Sequence, residues 1–380
     1  TLANVQLADA GAYQVIVSNI AGIATNSEAT LTVFRPEPGR VLGWGDGYQM
    51  AEKIPPGLSN VTAIAAVVAH GMVLKDDGTV VAWGEACCGA TVVPPGLSNV
   101  VAIDGGTSFS VALKGDGTVV AWGVNSDGET DVPPGLSDVV AIACGGAHTL
   151  ALRTDGTVVQ WGSQRYGGNP QPEGLSNVVA IACGGSHSYA LKDDGSVVAW
   201  GFVPPFPGSD DDPPNPPPII ALSAGYDYCL GLRADGTVTG GGANMYGQLD
   251  IPPGLADVVA IDAGADHALA LKADGTVVAW GNNYMGATDV PAGLAHISAI
   301  SAGGAFEEEF SLALQGDGRP VITVQPHNRR AVQGSNVALH VKAVGTQPVT
   351  YQWQKDGANL SGQTGASLTL ANVQLADAGA

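Results

Sequence analysis

Valine- and isoleucine-rich runs open at Val61, Val100, Val139 and Val178 and are echoed at Ile219, Val258 and Ile297, so the chain repeats itself every 39 to 41 residues. Each run leads to an Asp-Gly pair, from Asp77-Gly78 through Asp116-Gly117 to Asp317-Gly318, and then in most copies to a segment of the form Thr-Val-Val-Ala-Trp-Gly. Asp-Gly between two β-rich runs favours a tight hairpin with residues at positive φ. One period therefore reads as about four short strands. A sheet that small has two apolar faces and cannot bury either alone, so copies must stack on one another; radial stacking closes the array and removes its ends.

The blade count follows from the two ends of the repeat region. Complete units run 61–99, 100–138, 139–177, 178–218, 219–257 and 258–296, and a seventh opens at Ile297. That one runs out after Asp317-Gly318, where Arg319-Pro320-Val321 replaces the tryptophan strand. Upstream, Arg40-Val41-Leu42-Gly43-Trp44-Gly45 has the strand's pattern and no repeat before it. Joining 40–60 to 297–318 gives a composite seventh blade and pairs edges that would otherwise be open. The repeated tryptophans are Trp44, Trp83, Trp122, Trp161, Trp200 and Trp280, with Gly240 read as the place where one is lost.

The pattern Ala-Ile-x-x-Gly-x-x-His-x-x-Ala-Leu-x-x-Asp-Gly-x-Val-x-x-Trp-Gly, clearest at Ala141–Gly162 and Ala260–Gly281, resembles the regulator of chromosome condensation repeat. The resemblance covers roughly 40–318. It implies a seven-bladed propeller of the kind that usually serves as a protein-binding platform; the founding eukaryotic member is a nucleotide exchange factor for a small GTPase and binds chromatin. The connector Val132-Pro133-Pro134-Gly135-Leu136 is similar to repeats in large bacterial surface proteins.

The flanks do not fit the blade pattern. Residues 1–34, with Tyr13 as a corner tyrosine, look like the last strands of an immunoglobulin-like domain, and 35–39 form a proline-stiffened linker. Residues 319–380 look like the first strands of another such domain, with Trp353 as the core tryptophan and Leu339 and Val15 where bridging cysteines would stand. The fold class expected is all-β: a seven-bladed β-propeller plus immunoglobulin-like β-sandwich halves at both ends. Thr369–Ala380 repeats Thr1–Ala12 residue for residue. The expectation from that identity is a tandem array of propellers and sandwiches, with strand donation between separate subunits as the alternative.

Composition narrows the function classes. Asp and Glu number 35 against 15 Lys and Arg, for a formal charge of -20, which repels nucleic acid phosphates. No apolar stretch is long enough to insert in a membrane. His70, His148, His187 and His267 recur six residues after the isoleucine, with Phe109, Tyr228 and Phe306 expected in the other blades. Mixed with aromatics, they read as a packing position whose polar tip bonds to backbone, not as a metal site. Cys144 and Cys183 share a blade position and read as small buried thiols; Cys87-Cys88 lies in a loop where interchain crosslinking is conceivable. No catalytic constellation, cofactor motif or metal-ligand spacing stands out, and the chain reads as a non-enzyme without cofactors.

Partner contacts are expected on two insertions: Phe202–Pro218, with Phe202, Phe206, Asp210, Asp211 and Asp212, and the stretch Glu307, Glu308 and Glu309. The functional expectation is an extracellular or cell-surface, structural or adhesive repeat protein that assembles with copies of itself as a fibre, sheath or stalk. The alternative is a propeller platform for a specific protein or glycan with immunoglobulin-like spacers.

Overall fold

The computed structural model describes residues 11–13, 16–19, 22–25, 29–31, 39–45, 50–84, 89–163, 171–202, 216–305 and 308–378. The chain divides into two compact units, Thr1–Glu37 and Pro38–Ala380. In the first, Gly11–Tyr13 pairs antiparallel with Ala29–Leu31, and Ile16–Asn19 with Gly22–Thr25.

The second unit holds seven three-stranded antiparallel sheets, the blades of the propeller. Blade 2 shows the plan: an inner strand Val100–Gly105, a middle strand Phe109–Lys114 and an outer strand Val119–Gly123. Blades 1, 3, 4, 5 and 6 repeat it over 61–84, 139–162, 178–201, 219–242 and 258–281. Blade 7 combines Ile297–Ala305 and Glu308–Gln315 with Arg40–Trp44, in the register Ser311 to Trp44 and Gln315 to Arg40. At the tight end of each hairpin the glycine sits at positive φ, +79° at Gly117, a conformation that side chains with a Cβ rarely adopt.

Three points of the sequence reading need correction. Blades carry three strands, not about four. The return path of each unit runs through segments such as Pro94-Pro95-Gly96 and Pro133-Pro134-Gly135, and proline cannot donate to a sheet ladder. The tryptophan missing from blade 5 belongs at Gly241, not Gly240, because Gly241 pairs with Cys229 as Trp280 pairs with Ala268. In blade 7 the aromatic of the histidine position is Phe310, which is fully buried and precedes the Ser311 to Trp44 pair as Phe109 precedes Ser110 to Trp122. The inner-to-middle hairpin of that blade is longer, which displaces the residue from Phe306, itself outside the described residues.

Among the described residues, every middle-strand residue before the last is buried, because both faces of a blade meet neighbours. Leu113 of blade 2 packs with Val139, Ala151 and Trp161 of blade 3, and each such buried side chain contributes about 1.5–3 kcal/mol. Tryptophans fasten blades to the connector before them: Trp122 Nε1 donates to Ala90 O at 2.8 Å, Trp161 to Glu129 O at 2.9 Å and Trp280 to Gln248 O at 2.9 Å, while Trp200 of blade 4 donates instead to Gln160 Oε1 on the outer strand of blade 3. A backbone bond from Gly304 N to Val67 O, 3.1 Å, joins blade 7 to blade 1.

Residues 319–347 do not hang from the rim as a free bead. We call the ends where inner strands begin, with the Asp-Gly turns, the lower face. There Thr323 Oγ1 donates to Val259 O at 2.5 Å, His327 Nε2 donates to Ile220 O at 2.8 Å and Gln347 Nε2 donates to Ala273 O at 2.8 Å. Val324 and Val344 are buried in the propeller's own clusters. This segment pairs Val321–Val324 with Lys342–Val344, and further on Val337–His340 pairs with Ser367–Leu370.

Candidate binding face

Inner strands of all seven blades line a central channel of about 920 Å³, and Val321, Ile322 and Thr323 line it too. Its polar groups act between blades. Asp104 accepts from Cys144 N of blade 3 at 2.8 Å and from Gly105 N at 2.8 Å; Asp262 accepts from Ala302 N of blade 7 at 2.8 Å. Burial pushes Asp104 up to about 7, against the pull of its two backbone donors. Burial first, then the Asp104 charge, raises the Cys144 and Cys183 thiols well above their ordinary range, and both cysteines are free. Cys87-Cys88 lies outside the described residues.

The recurring histidines also join blades. His70 Nε2 meets Ser110 Oγ of the next blade at 2.9 Å, and His148 meets Ser188 at 2.8 Å. Ser110 Oγ donates its own hydrogen bond to Ala90 O at 3.0 Å, so the imidazole donates to the serine. In blades 1 and 3 the tip thus reaches a hydroxyl, not backbone as expected; His187 has Cys229 at the position of that serine, and Tyr228 donates to backbone, at His267 O. Burial lowers His70, His148 and His187 to about 4, so these rings are neutral near pH 7.

In blade 6 the pair gains an acid. His267 Nε2 lies 3.0 Å from Ser311 Oγ and its Nδ1 lies 3.3 Å from Glu309, the outline of a nucleophile, base and acid. Ser311 is fully buried and donates to Ala287 O at 2.9 Å, and the same pair without the acid serves blades 1 and 3. It is an interblade clamp. Glu309, expected as a contact residue, is therefore internal: it is 1% exposed, and its Oε1 accepts from Asp266 N at 2.5 Å. Glu308 pairs through its backbone with Ala305. Phe202 is 80% exposed, with its N–H on Ser186 O at 2.9 Å. Phe206, Asp210, Asp211, Asp212 and Glu307 lie outside the described residues.

Exposed apolar side chains gather at the opposite, upper face, where inner strands end and outer strands give way to loops. Loops 125–131, 244–250 and 283–289 follow the outer strands of blades 2, 5 and 6 and share one frame. In each, an asparagine Nδ2 donates to an aspartate: Asn125 to Asp131 at 2.8 Å, Asn244 to Asp250 at 2.8 Å and Asn283 to Asp289 at 2.9 Å. The same asparagine's Oδ1 accepts a backbone N–H, from Thr130, Leu249 and Thr288. The tips differ: Ser126-Asp127 in blade 2, Met245-Tyr246 in blade 5 and Tyr284-Met285 in blade 6. Met245 is 83% exposed and Tyr284 73%. Tyr226 crowns blade 5 from the inner turn, its N–H on Ala265 O and its O accepting from Gly185 N.

Sequence reasoning passed over these tips because it compared strands, not loops. Aligning Asn-x-x-Gly-x-x-Asp across blades would have shown two apolar tips against one polar. Tyr246 N donates to Gln248 Oε1 at 2.9 Å and Gln248 Nε2 donates to Asp266 at 3.2 Å, which locks the blade 5 loop onto blade 6. The result is a rigid patch of Tyr226, Met245, Tyr246 and Tyr284 beside Asp227 and Asp266.

The repeats and flank have clear relatives. Residues 100–129, 139–167, 178–202 and 258–287 match the regulator of chromosome condensation (RCC1) repeat, and 319–380 match an immunoglobulin domain. No curated protein matches the chain in sequence. Among solved structures it resembles Prp20p from Saccharomyces cerevisiae, at 20% identity over 73% of this chain and 91% of that one, with a TM-score of 0.60. Human WBSCR16 is 17% identical over 73% of this chain and 98% of its own, with a TM-score of 0.56. The receptor kinase CR4 ectodomain from Physcomitrella patens is 19% identical over 65% of this chain and 72% of its own, with a TM-score of 0.53. The chain thus holds a seven-bladed propeller, four of whose repeats match the RCC1 repeat, followed by a segment that matches an immunoglobulin domain.

Proposed function

We propose that the propeller is a non-enzymatic binding platform and that its upper face over blades 4 to 6 is where the partner sits. The observation that carries this is the internal comparison of loops: one hydrogen-bonded frame holds Ser-Asp in blade 2 and Met-Tyr in blade 5. Polar tips suffice to fold that loop, so highly exposed Met245 and Tyr284 serve something outside the fold. Phe202, just past the outer strand of blade 4, borders the same face. The fold is used for protein binding elsewhere: Prp20p binds Gsp1p and histones. The test is capture from the native surroundings by the intact chain and by M245S/Y246D, which writes the blade 2 tip into blade 5. A partner held by the first and lost by the second supports the reading, and identical capture by both removes it.

A second reading, that the platform is displayed along an extracellular, adhesive fibre that contacts copies of itself, is supported by the twelve-residue identity of Thr1–Ala12 and Thr369–Ala380. The mass of the intact native polypeptide tests it: many periods are expected, and a mass of one period would remove the covalent array.

A further inference from the structure

The platform reading, on which this inference rests, leaves open what chemistry the partner brings, and the distribution of charge narrows it. Lys75, Lys114, Arg153, Lys192, Arg233 and Lys272 each end a middle strand beside an Asp-Gly turn, on the lower face. Between Phe202 and Phe310, Arg233 and Lys272 are the only lysine or arginine residues in the sequence. The upper ends of blades 5 and 6 bear carboxylates instead, Asp227 and Asp266 on the inner turns with Asp250 and Asp289 closing the loops. Among the described residues no lysine or arginine pairs with any of these four. Burial, then Glu309 and Asp227, push Asp266 up to about 6, with His267 as its only counteracting neighbour.

Beside these acids stand three tyrosines and a methionine on rigid supports. Tyrosine faces attract ammonium and guanidinium groups, and methionine adapts to aliphatic stems. A glycan would need fixed donors and acceptors, yet the side-chain amides of Asn244 and Asn283 are already occupied within their own loops. We infer that this face docks a cationic protein segment, with lysine or arginine side chains laid over Tyr226, Tyr246 and Tyr284, their charges toward Asp227 and Asp266, and apolar neighbours against Met245.

Fluorescence anisotropy on the intact chain and on M245S/Y246D tests this, using a labelled peptide of alternating lysine and leucine, its glutamate counterpart and a neutral glucose oligosaccharide. The lysine peptide is expected to bind, to weaken with added salt and to lose about tenfold or more on the variant. Because the swap adds a carboxylate, diffuse attraction to an acidic surface would instead hold or rise, and that result overturns the proposal. So does failure of the lysine peptide to bind, or equal binding of the glutamate peptide. Oligosaccharide binding that the swap abolishes would overturn the cationic partner while leaving the platform standing. An unchanged thermal melt of the variant shows that the swap preserves the fold.

Discussion

Blade 2 and blade 5 are copies of one unit that have diverged in opposite directions. Blade 2 keeps Trp122 on Ala90 O, and its Ser110 receives the imidazole of His70. Blade 5 has Gly241 where that tryptophan stands and Cys229 where that serine stands, and the connector before it is the long insertion after Phe202. Yet blade 5 retains the clamped loop and arms it with Met245-Tyr246. Within one ring, blade 5 has lost the tryptophan fastener and presents apolar side chains to the outside, as does blade 6, which keeps Trp280 on Gln248 O, and both keep the loop geometry because presentation requires rigidity.

The comparison breaks first at the fastener. Trp122→Ala removes a buried indole and its hydrogen bond and is expected to cost about 3–5 kcal/mol in urea unfolding; a loss below about 1 kcal/mol would mean that blade 5 surrendered nothing by carrying glycine. Next comes pH. At one blade position blade 2 has Asp104 and blade 5 has neutral Ser223. Because the folded-state value of Asp104 is raised from 3.8 to about 7, its stabilising contribution is whole at low pH and is lost as pH rises through 7. Buried His70, His148 and His187, lowered to about 4, pull the other way below about pH 6.5, so the expectation is a comparison: Asp104→Asn should shift the gap in melting temperature between pH 5 and pH 8 in favour of pH 8. A gap unchanged in the variant would place the dependence on other groups such as Asp262, whose value is also raised by burial.

Smaller effects sharpen the loop comparison. Asn125→Ala and Asn244→Ala each delete the same two bonds and are expected to cost similar amounts, about 0.5–1.5 kcal/mol per bond, but only Asn244→Ala should weaken partner binding. Equal binding losses would put the partner on both loops. Smallest of all, M245S/Y246D should move stability by no more than about 0.5 kcal/mol, since its targets are exposed. A larger loss would show that the tip packs.

The seven-fold repetition was readable in the chain because each cue is local: an Asp-Gly turn, a valine run and a tryptophan recur at fixed intervals. The misreadings came where identity depends on a partner strand. Gly240 and Gly241 are equally plausible until pairing with Cys229 sets the register, and Phe306 looks like a blade aromatic until the longer hairpin places Phe310 opposite the outer strand. Glu309 and Glu308 are adjacent acids in one insertion, and a turn of the hairpin sends Glu309 inward to Asp266 and His267.

What the sequence by itself determined is the unit and its multiplicity, since a small sheet with two apolar faces has only its own copies to pack against. Tertiary structure alone decided which loops share a face, that 319–347 lies along the lower face, and that the apolar tips of blades 5 and 6 stand together beside carboxylates that, among the described residues, pair with no lysine or arginine. Exposure and charge balance are set by neighbours distant in the chain, and no periodicity along it encodes them.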